Sequence, residues 1–515
     1  MNYPWRILNS SMWPPSDKTV NRQKKQLLVN MTQLKQAVSL ILFFVLLCPT
    51  STFAISIPDE LKLGKEYLQL MKNKDVILYD PVAQKMIEIV GNAIVKPLPP
   101  QPFHFDFFMV NDDSFNAFAM PAANIFVHRG LIASLDNMDE LAGILAHEIG
   151  HAVGRHVSQS IDRSKIVATG SLAGMVAGIL VGAAAGSSEA GQALSIGSMA
   201  AGQSAMLTYT RENETEADQK AVLFLEQTGY SPQGILDSLL KIRQADYQGI
   251  ENIPDYFKTH PGTAARVSHL SGILADYKPP ADKPAPPKNF DYNMVKYRVI
   301  GLYGDTDTYI PKIEIALQND PDNVAFHYGL GLLYGRSTRI NEGIEQLNKA
   351  LTKDPFEPMI LLELGRLYIS NTEYTRAITI LDSMADDPLL GDWAIFNRCV
   401  AQIQNGNLPA AEKGLEHVLG SGKPGFEKAN YHMAEIMSRQ SKQALSNYYL
   451  GVYYARIHDE QNAARQLERA IETLDDEKMR EKAQNELENL EGKGKKEEGT
   501  RIEYFNNFIT PHQNA

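Results

Sequence analysis

Cysteine is nearly absent: the 515 residues hold two, Cys48 and Cys399. Cys48 lies in an N-terminal stretch with the marks of a leader, so a processed chain keeps Cys399 alone. That excludes a disulfide framework and a thiolate metal centre. A basic excess is missing too. With 50 Lys and Arg against 61 Asp and Glu, the formal net charge is −11, and a nucleic-acid partner is excluded because no surplus exists to neutralise phosphates. Strongly apolar runs are few. Residues 37–47 are short for a membrane span, and 166–186, though uncharged over a spanning length, are built from small residues with few Leu, Ile and Phe. What remains is 44% hydrophobic and 22% charged, the balance of a globular chain, and its length suits about three units of roughly 150 residues.

Residues 1–54 read as an N-terminal extension and signal peptide. A polar, basic stretch to Lys35 precedes the apolar run 37–47, then Cys48-Pro49 and small residues up to a cleavage point after Ala54. Met31 offers a second start that would give a leader of ordinary length. Leu47 suits a lipid-anchored Cys48 poorly. Export is the expected outcome, with an uncleaved membrane anchor as the competing one.

Residues 55–277 read as the first domain. Leu61, Leu63, Tyr67, Leu68 and Met71, then Val82, Met86, Ile87, Val90 and Ile94, have helical spacing, and Asp80-Pro81 separates the two helices. Residues 103–110 alternate as a strand, and 116–130 resemble a hairpin with Pro121 at its bend. His104 and His128 are ordinary strand residues on this reading. A sheet edge near a catalytic helix matters because it can hold an extended peptide by adding it as a strand. A helix then begins near Asn137, with Glu140 placed as in a capping box, and buries Leu141, Ile144, Leu145, Ile149, Ala152 and Val153.

That helix carries His147-Glu148-Ile149-Gly150-His151. The four-residue step stacks both imidazoles on one face, where they can bind a tetrahedral zinc ion, with Glu148 beside them as a candidate general base. Gly150 and Gly154 weaken the helix, which calls for a close packing partner or a metal to offset the loss. Arg155 and His156 are expected to anchor the helix end rather than touch a metal. A third ligand is needed. Glu212, Glu214, Glu216 and Asp218 crowd the start of a later helical pattern; they are either a solvated, dipole-favoured helix start or the source of that ligand, and the paired histidines favour the second. Asp218, one turn after Glu214, is placed to orient a histidine through its second nitrogen. Between these segments, 166–207 reads as a close-packed helical pair or flap, soluble or touching a membrane peripherally, against a transmembrane hairpin as the alternative.

Residues 278–290 are a proline-rich linker. From 291 to 476 the chain repeats: Leu330-Gly331, Tyr334, Gly343, Leu347 and Ala350 recur 34 positions later as Leu364-Gly365, Tyr368, Ala377 and Leu381, and again as Leu450-Gly451, Tyr454, Ala463, Leu467 and Ala470. That is a tetratricopeptide pattern, with degenerate copies at 292–320 and 393–419. Helix pairs of this kind stack into a solenoid with a concave binding face. Residues 477–515 follow as a charged helix and polar tail.

Two signatures in tandem carry a family resemblance. His147-Glu148-Ile149-Gly150-His151 followed by Glu214-Thr215-Glu216-Ala217-Asp218 resembles the paired motif of the CAAX prenyl endopeptidase-like zinc peptidases, and 116–121 and 259–266 look like that family as well. With its repeats the chain is similar to the β-barrel assembly-enhancing proteases, exported enzymes of Gram-negative bacteria. The resemblance implies one Zn2+ per chain with His147, His151 and Glu214 as ligands, Glu148 as base and Asp218 as an acidic partner among the catalytic residues. It presents His260 either as a fourth ligand that holds the enzyme latent or as a structural residue in a proline-limited loop. Ala122-Ala123 stands where the family often has two glycines, which leaves the local turn open. The implied fold is α+β: a mostly helical zincin-like metallopeptidase domain with a small β-sheet, then an all-α tetratricopeptide solenoid. The implied work is degrading or chaperoning unfolded or misassembled outer-membrane proteins in the periplasm, with the solenoid contacting the β-barrel assembly machinery. An integral inner-membrane metalloprotease and a scaffold or chaperone with a latent or structural zinc are the competing classes.

Overall fold

The computed structural model describes residues 55–74, 76–167, 209–247, 256, 259–279, 285–287 and 290–490. The expected signal peptide, all but the first two residues of the 166–207 segment, and the tail beyond 490 lie outside the described residues.

The first two helices are built as their sequences require. Ser56 caps α1 (Ile57–Asn73) by accepting from the Asp59 amide. Asp80 caps α2 (Pro81–Val95), accepting from the Val82 and Ala83 amides, with Pro81 in the first turn where no amide is needed. Three short strands follow: β1 (Asp106–Val110), β2 (Ala117–Met120) and β3 (Asn124–His128). The order is β1-β3-β2, with β3 parallel to β1 and antiparallel to β2. β3 is buried at every position, as a central strand should be, which leaves β2 at an edge. The bend between β2 and β3 holds Pro121, and both Ala122 (φ +63°) and Ala123 (φ +57°) are left-handed. The turn is therefore the one glycine favours, made with alanine at a cost of about 1–2 kcal/mol per residue.

After α3 (Arg129–Ser134) comes α4 (Met138–Val153), in which every residue from Glu140 to His151 is buried. Asn137 caps it, accepting from the Glu140 amide at 3.0 Å, while the Glu140 carboxylate reaches back one residue further, to the Asp136 amide at 2.9 Å. A helix buried on all sides needs partners all round. α4 has α2, β2, α6 (Arg211–Glu226) and α7 (Gln233–Tyr247) against it. At Gly150 a Cβ would stand 2.9 Å from the Ala217 carbonyl of α6, so the two helices meet at that point only because glycine is there. This is the close partner that the weakened helix requires. α5 (His156–Val167) and α8 (Thr263–Leu274) complete the part that frames the site.

Helix pairs begin at 292: α9 (Tyr292–Tyr303) with α10 (Thr306–Asn319), α11 (Val324–Arg336) with α12 (Ile340–Lys353), α13 (Pro358–Ser370) with α14 (Tyr374–Asp382), and α15 (Gly391–Gln404) with α16 (Leu408–Gly420). Left-handed residues sit in the tight turns of the last three pairs at Thr338, Thr372 and Gly406, 34 residues apart each time. The backbone thus keeps the period of the side-chain pattern. α17 (Glu427–Arg439), not marked by that pattern, precedes α18 (Gln443–Arg456) and α19 (Glu460–Thr473), and it buries Ala429, Met433, Ile436 and Met437. The architecture is α+β followed by an all-α tetratricopeptide-type array.

Candidate metal centre

Two helices and one loop supply the donors. His147 and His151 come from α4, Glu214 from α6, and His260 from the loop before α8; all four are fully buried, and one donor atom of each lies within 4.8 Å of the others. Nε2 of His147 is 3.0 Å from Nε2 of His151, 3.3 Å from Nδ1 of His260 and 3.5 Å from a Glu214 oxygen. The other Glu214 oxygen is 3.3 Å from His151 Nε2 and 3.1 Å from His260 Nδ1. Four donors at the corners of a tetrahedron with zinc–ligand bonds of about 2.0–2.1 Å stand about 3.3 Å apart. The five contacts above, which use both Glu214 oxygens, run from 3.0 to 3.5 Å and bracket that value, and with the whole set inside 4.8 Å the donors can close on a zinc-sized cation.

Charge leads to the same answer. Glu148, Glu214 and Asp218 are buried carboxylates and Arg266 is a buried guanidinium, so once the imidazoles give up their protons to bind a metal and the carboxylates are ionised the core carries −2, which a divalent cation neutralises. Burial and Arg266 push His147 down, yet its hydrogen bonds with Asp218 and Glu214 outweigh them and raise it to about 9. Burial also opposes ionisation of Glu214, but His260, Arg266, His147 and His151 hold it well below the ordinary carboxylate range. Burial raises Glu148, and neither of its oxygens has a hydrogen-bond partner among the described residues. His260 Nε2 lies 3.5 Å from one of them.

Around the donors lies a ring of supports. Asp218 Oδ1 is 2.8 Å from His147 Nδ1, so it sits behind that imidazole. Arg266, from α8, donates to both Asp218 oxygens at 2.7 and 2.8 Å and brings Nη1 to 2.7 Å from Glu214. Tyr209 stacks on His151 with ring centroids 3.8 Å apart and donates its hydroxyl to the Ala119 carbonyl of β2 at 3.3 Å. Tyr256 stacks on His260 at 4.3 Å.

All six expected site residues, His147, Glu148, His151, Glu214, Asp218 and His260, therefore meet in one place. Residues without an expected role join them. Arg266 answers the need for a cation beside two buried acids, and Tyr209 and Tyr256 are aromatic covers with no spacing signal. His156 is not one of the four donors; it turns inward onto His151, with the two Nδ1 atoms 2.9 Å apart. His104 and His128 stand away from the centre, paired with Asp106 and with Ser114 and Asp112.

Residues 82–274 match the profile of "Peptidase family M48". The chain is 28% identical over 371 residues to the "Beta-barrel assembly-enhancing protease" of Yersinia pestis, covering 70% of this chain and 74% of that one. It is equally identical over 336 residues to the protein of that name from Escherichia coli (strain K12), covering 64% and 67%. "Metalloprotease LoiP" of Escherichia coli (strain K12) is 28% identical over 186 residues, 36% of this chain and 68% of that one. Among solved structures, "Crystal structure of MamA" covers 31% of this chain and 92% of its own at 22% identity, with a TM-score of 0.28. The family match and these relatives make the chain a metallopeptidase, similar to the β-barrel assembly-enhancing proteases.

Proposed function

We propose that the chain is a zinc-dependent endopeptidase of the periplasm that degrades, or helps to assemble, unfolded and misassembled outer-membrane β-barrel proteins. On this proposal the helix-pair array recruits clients and contacts the β-barrel assembly machinery. The observation that carries the enzyme reading is the convergence of His147, His151, Glu214 and His260 within 4.8 Å of one another, beside a buried Glu148 whose oxygens have no hydrogen-bond partner among the described residues. The relatives' name supports the substrate class, and the leader-like sequence of 1–54 supports export.

His147 and His151 would hold zinc through Nε2 and Glu214 through a carboxylate oxygen, one ion per chain. When bound, zinc supplies Lewis acidity, polarising a scissile carbonyl and making water nucleophilic near neutral pH. Glu148 takes the proton of the attacking water and passes it to the leaving amine; the burial that raises its pKa brings it nearer to working pH. Asp218 accepts the Nδ1 proton of His147, which leaves the Nε2 lone pair aimed at the donor cluster. Arg266 keeps Asp218 and Glu214 in place from behind. The outer edge of β2 is where an extended substrate strand would add.

His260 occupies the fourth corner with Nδ1 and stands beside Glu148 with Nε2. It holds the enzyme latent on this reading, and it must withdraw before substrate enters. A complete set of four protein donors is also what a structural zinc site has, so a scaffold or chaperone with structural zinc is the second reading. Zinc content and casein cleavage by the wild type, Glu148→Gln and His260→Ala separate them. The Gln variant is expected to keep zinc and fold and to lose cleavage, and the His260 variant to cleave faster. Cleavage retained by Glu148→Gln would sink the enzyme mechanism, and unchanged cleavage by a folded His260→Ala would sink the latch. Among the described residues no helix is long and apolar enough to cross a membrane; carbonate extraction of the processed protein tests the integral-membrane alternative.

A further inference from the structure

His156 opens α5 with its imidazole fully buried. Its Nδ1 lies 2.9 Å from Nδ1 of His151, the nitrogen turned away from the donor cluster, while Nε2 of His151 faces His147 and Glu214. Three local features put it there. α4 ends at Val153, and Arg155 then takes φ +52°, folding the chain back toward His151. A left-handed conformation costs a non-glycine residue about 1–2 kcal/mol; Arg155 is fastened in it by the buried Glu60 carboxylate at 2.5 Å and the Ile55 carbonyl at 2.6 Å. Gly154 supplies the room, because a Cβ there would stand 2.3 Å from Nε2 of His156. On its outer side that Nε2 is 3.4 Å from the half-exposed carboxylate of Glu216, which pairs with Lys220 at 2.7 Å.

Two Nδ1 atoms at this distance share a single proton. An imidazole that offers Nε2 to a metal keeps its proton on Nδ1 and seeks an acceptor for it. His156 Nδ1 is that acceptor, which places its own proton on Nε2, a nitrogen that makes no hydrogen bond among the described residues and lies on the Glu216 side. We propose, resting on the metal-centre reading above, that His156 is the positioning residue of His151: it fixes that ligand's ring orientation and tautomer, as Asp218 does for His147, with the Glu216 carboxylate nearby on the far side. The two zinc-binding histidines thus have unlike supports, a carboxylate behind one and a second imidazole behind the other. The strained Arg155 and the bare Gly154 exist to seat that imidazole.

Zinc affinity of the full chain by chelator competition, with the absorption bands of the cobalt-substituted protein as a second readout, tests this. Asn places its Oδ1 about where Nδ1 of histidine stands and can still accept from His151. Phe fills the space and cannot. His156→Phe is expected to weaken zinc binding by about 10–100-fold and to shift the cobalt bands. His156→Asn should stay within a few-fold of wild type, and Glu216→Gln, on the rim, should lose less than the Phe variant. Wild-type affinity in His156→Phe, or equal losses in folded Phe and Asn variants, overturns the proposal. If the Phe variant does not fold, a folded His156→Asn that loses tenfold or more overturns it instead. Failure of the underlying metal centre has a different appearance: wild type would bind no zinc, or His151→Ala would bind it as tightly as wild type.

Discussion

Replacing Arg298 with methionine removes the one guanidinium that, among the described residues, joins α2 of the peptidase part to the helix pairs. Arg298 is 3% exposed. It donates to both Asp80 oxygens at 2.9 and 3.1 Å, to the Tyr328 hydroxyl at 2.9 Å and to Glu363 at 3.0 Å. Asp80 is the N-cap of α2, Glu363 lies on α13, and both are as deeply buried as the arginine. Methionine matches the aliphatic part of the side chain and leaves two carboxylates without their cation, which costs about 3–5 kcal/mol in such sites. The lower end applies, because Asp80 retains two backbone amides and the Tyr303 hydroxyl, and Glu363 retains Arg366 at 2.9 Å. For a chain of 515 residues melting in one transition, an unfolding entropy of about 2.1 cal/mol/K per residue gives roughly 1 °C per kcal/mol, so a loss of about 3 kcal/mol lowers the transition temperature by roughly 3 °C. Calorimetry is the assay, and it should also show the single transition broadening as the two parts lose the most deeply buried charged contact between them. Asp80→Asn, which keeps the cap and drops the charge, should cost less alone and should recover part of the loss when combined with Arg298→Met. A variant that melts in one transition within about 1 °C of wild type would refute the reasoning, since a 3 kcal/mol loss cannot hide in that interval.

Stripping the metal with a chelator should lower the transition temperature by several degrees, because at about 100 times its Kd a bound ion stabilises by about 2.7 kcal/mol; scanning calorimetry with and without zinc checks it, and identical curves would contradict a cation in the core. Cys399 is buried and burial pushes its thiol up to about 11, so an alkylating reagent at pH 8 should label it only as the protein unfolds; fast labelling of native protein would count against the packing of α15. Gly64→Ala places a methyl 2.6 Å from the Pro121 carbonyl and 2.7 Å from Ala122 Cβ, and should cost about 1–3 kcal/mol by forcing α1 away from the β2–β3 turn, measured by urea unfolding.

How much of this can be read in the sequence follows from how far apart the partners lie. His147, Glu148 and His151 are legible because a four-residue step on one helix is local geometry. The four acids at 212–218 have equal claims until the helix is placed: Glu214 and Asp218 are buried with Ala217 and Ala221, whereas Glu212 and Glu216 face solvent. That stripe of acids four apart with alanines between them is a usable signal, and only the family resemblance singles out Glu214. Arg266 comes 48 residues after the Asp218 it clamps, and no periodicity links the two; the rule that buried acids need a cation demands such a partner without saying where it is. The inward turn of His156 escapes the sequence for a backbone reason, since a helix running on past Val153 would not carry it back under His151, and nothing in composition announces a left-handed arginine. The 34-residue pattern is legible through its small and large positions, while α17, which lacks the Leu-Gly-Tyr marks, is not.

The covers over the metal centre are joined to one another, which bears on how a fully buried site can act on a polypeptide. Tyr209 and His260 come from segments far apart in sequence, yet the Tyr209 amide donates to the Thr259 carbonyl at 3.3 Å, next to the residue that fills the fourth corner. The Tyr209 ring lies on His151 and its hydroxyl holds the Ala119 carbonyl on the edge strand. Withdrawal of the 259–260 loop therefore removes a backbone partner from Tyr209, and loss of Tyr209 exposes both an imidazole face and an acceptor on β2. These contacts number a few hydrogen bonds at about 0.5–1.5 kcal/mol each and two ring stacks of similar size. On the proposed latent reading, contacts of that size would keep the site shut at rest, and a substrate strand added along β2 could offset them. A rigid core that fixes the donors and a lightly fastened cover that hides them are compatible because the two rest on different residues. Asp218, Arg266 and His156 stand behind the ligands, and Tyr209, Tyr256 and His260 stand in front.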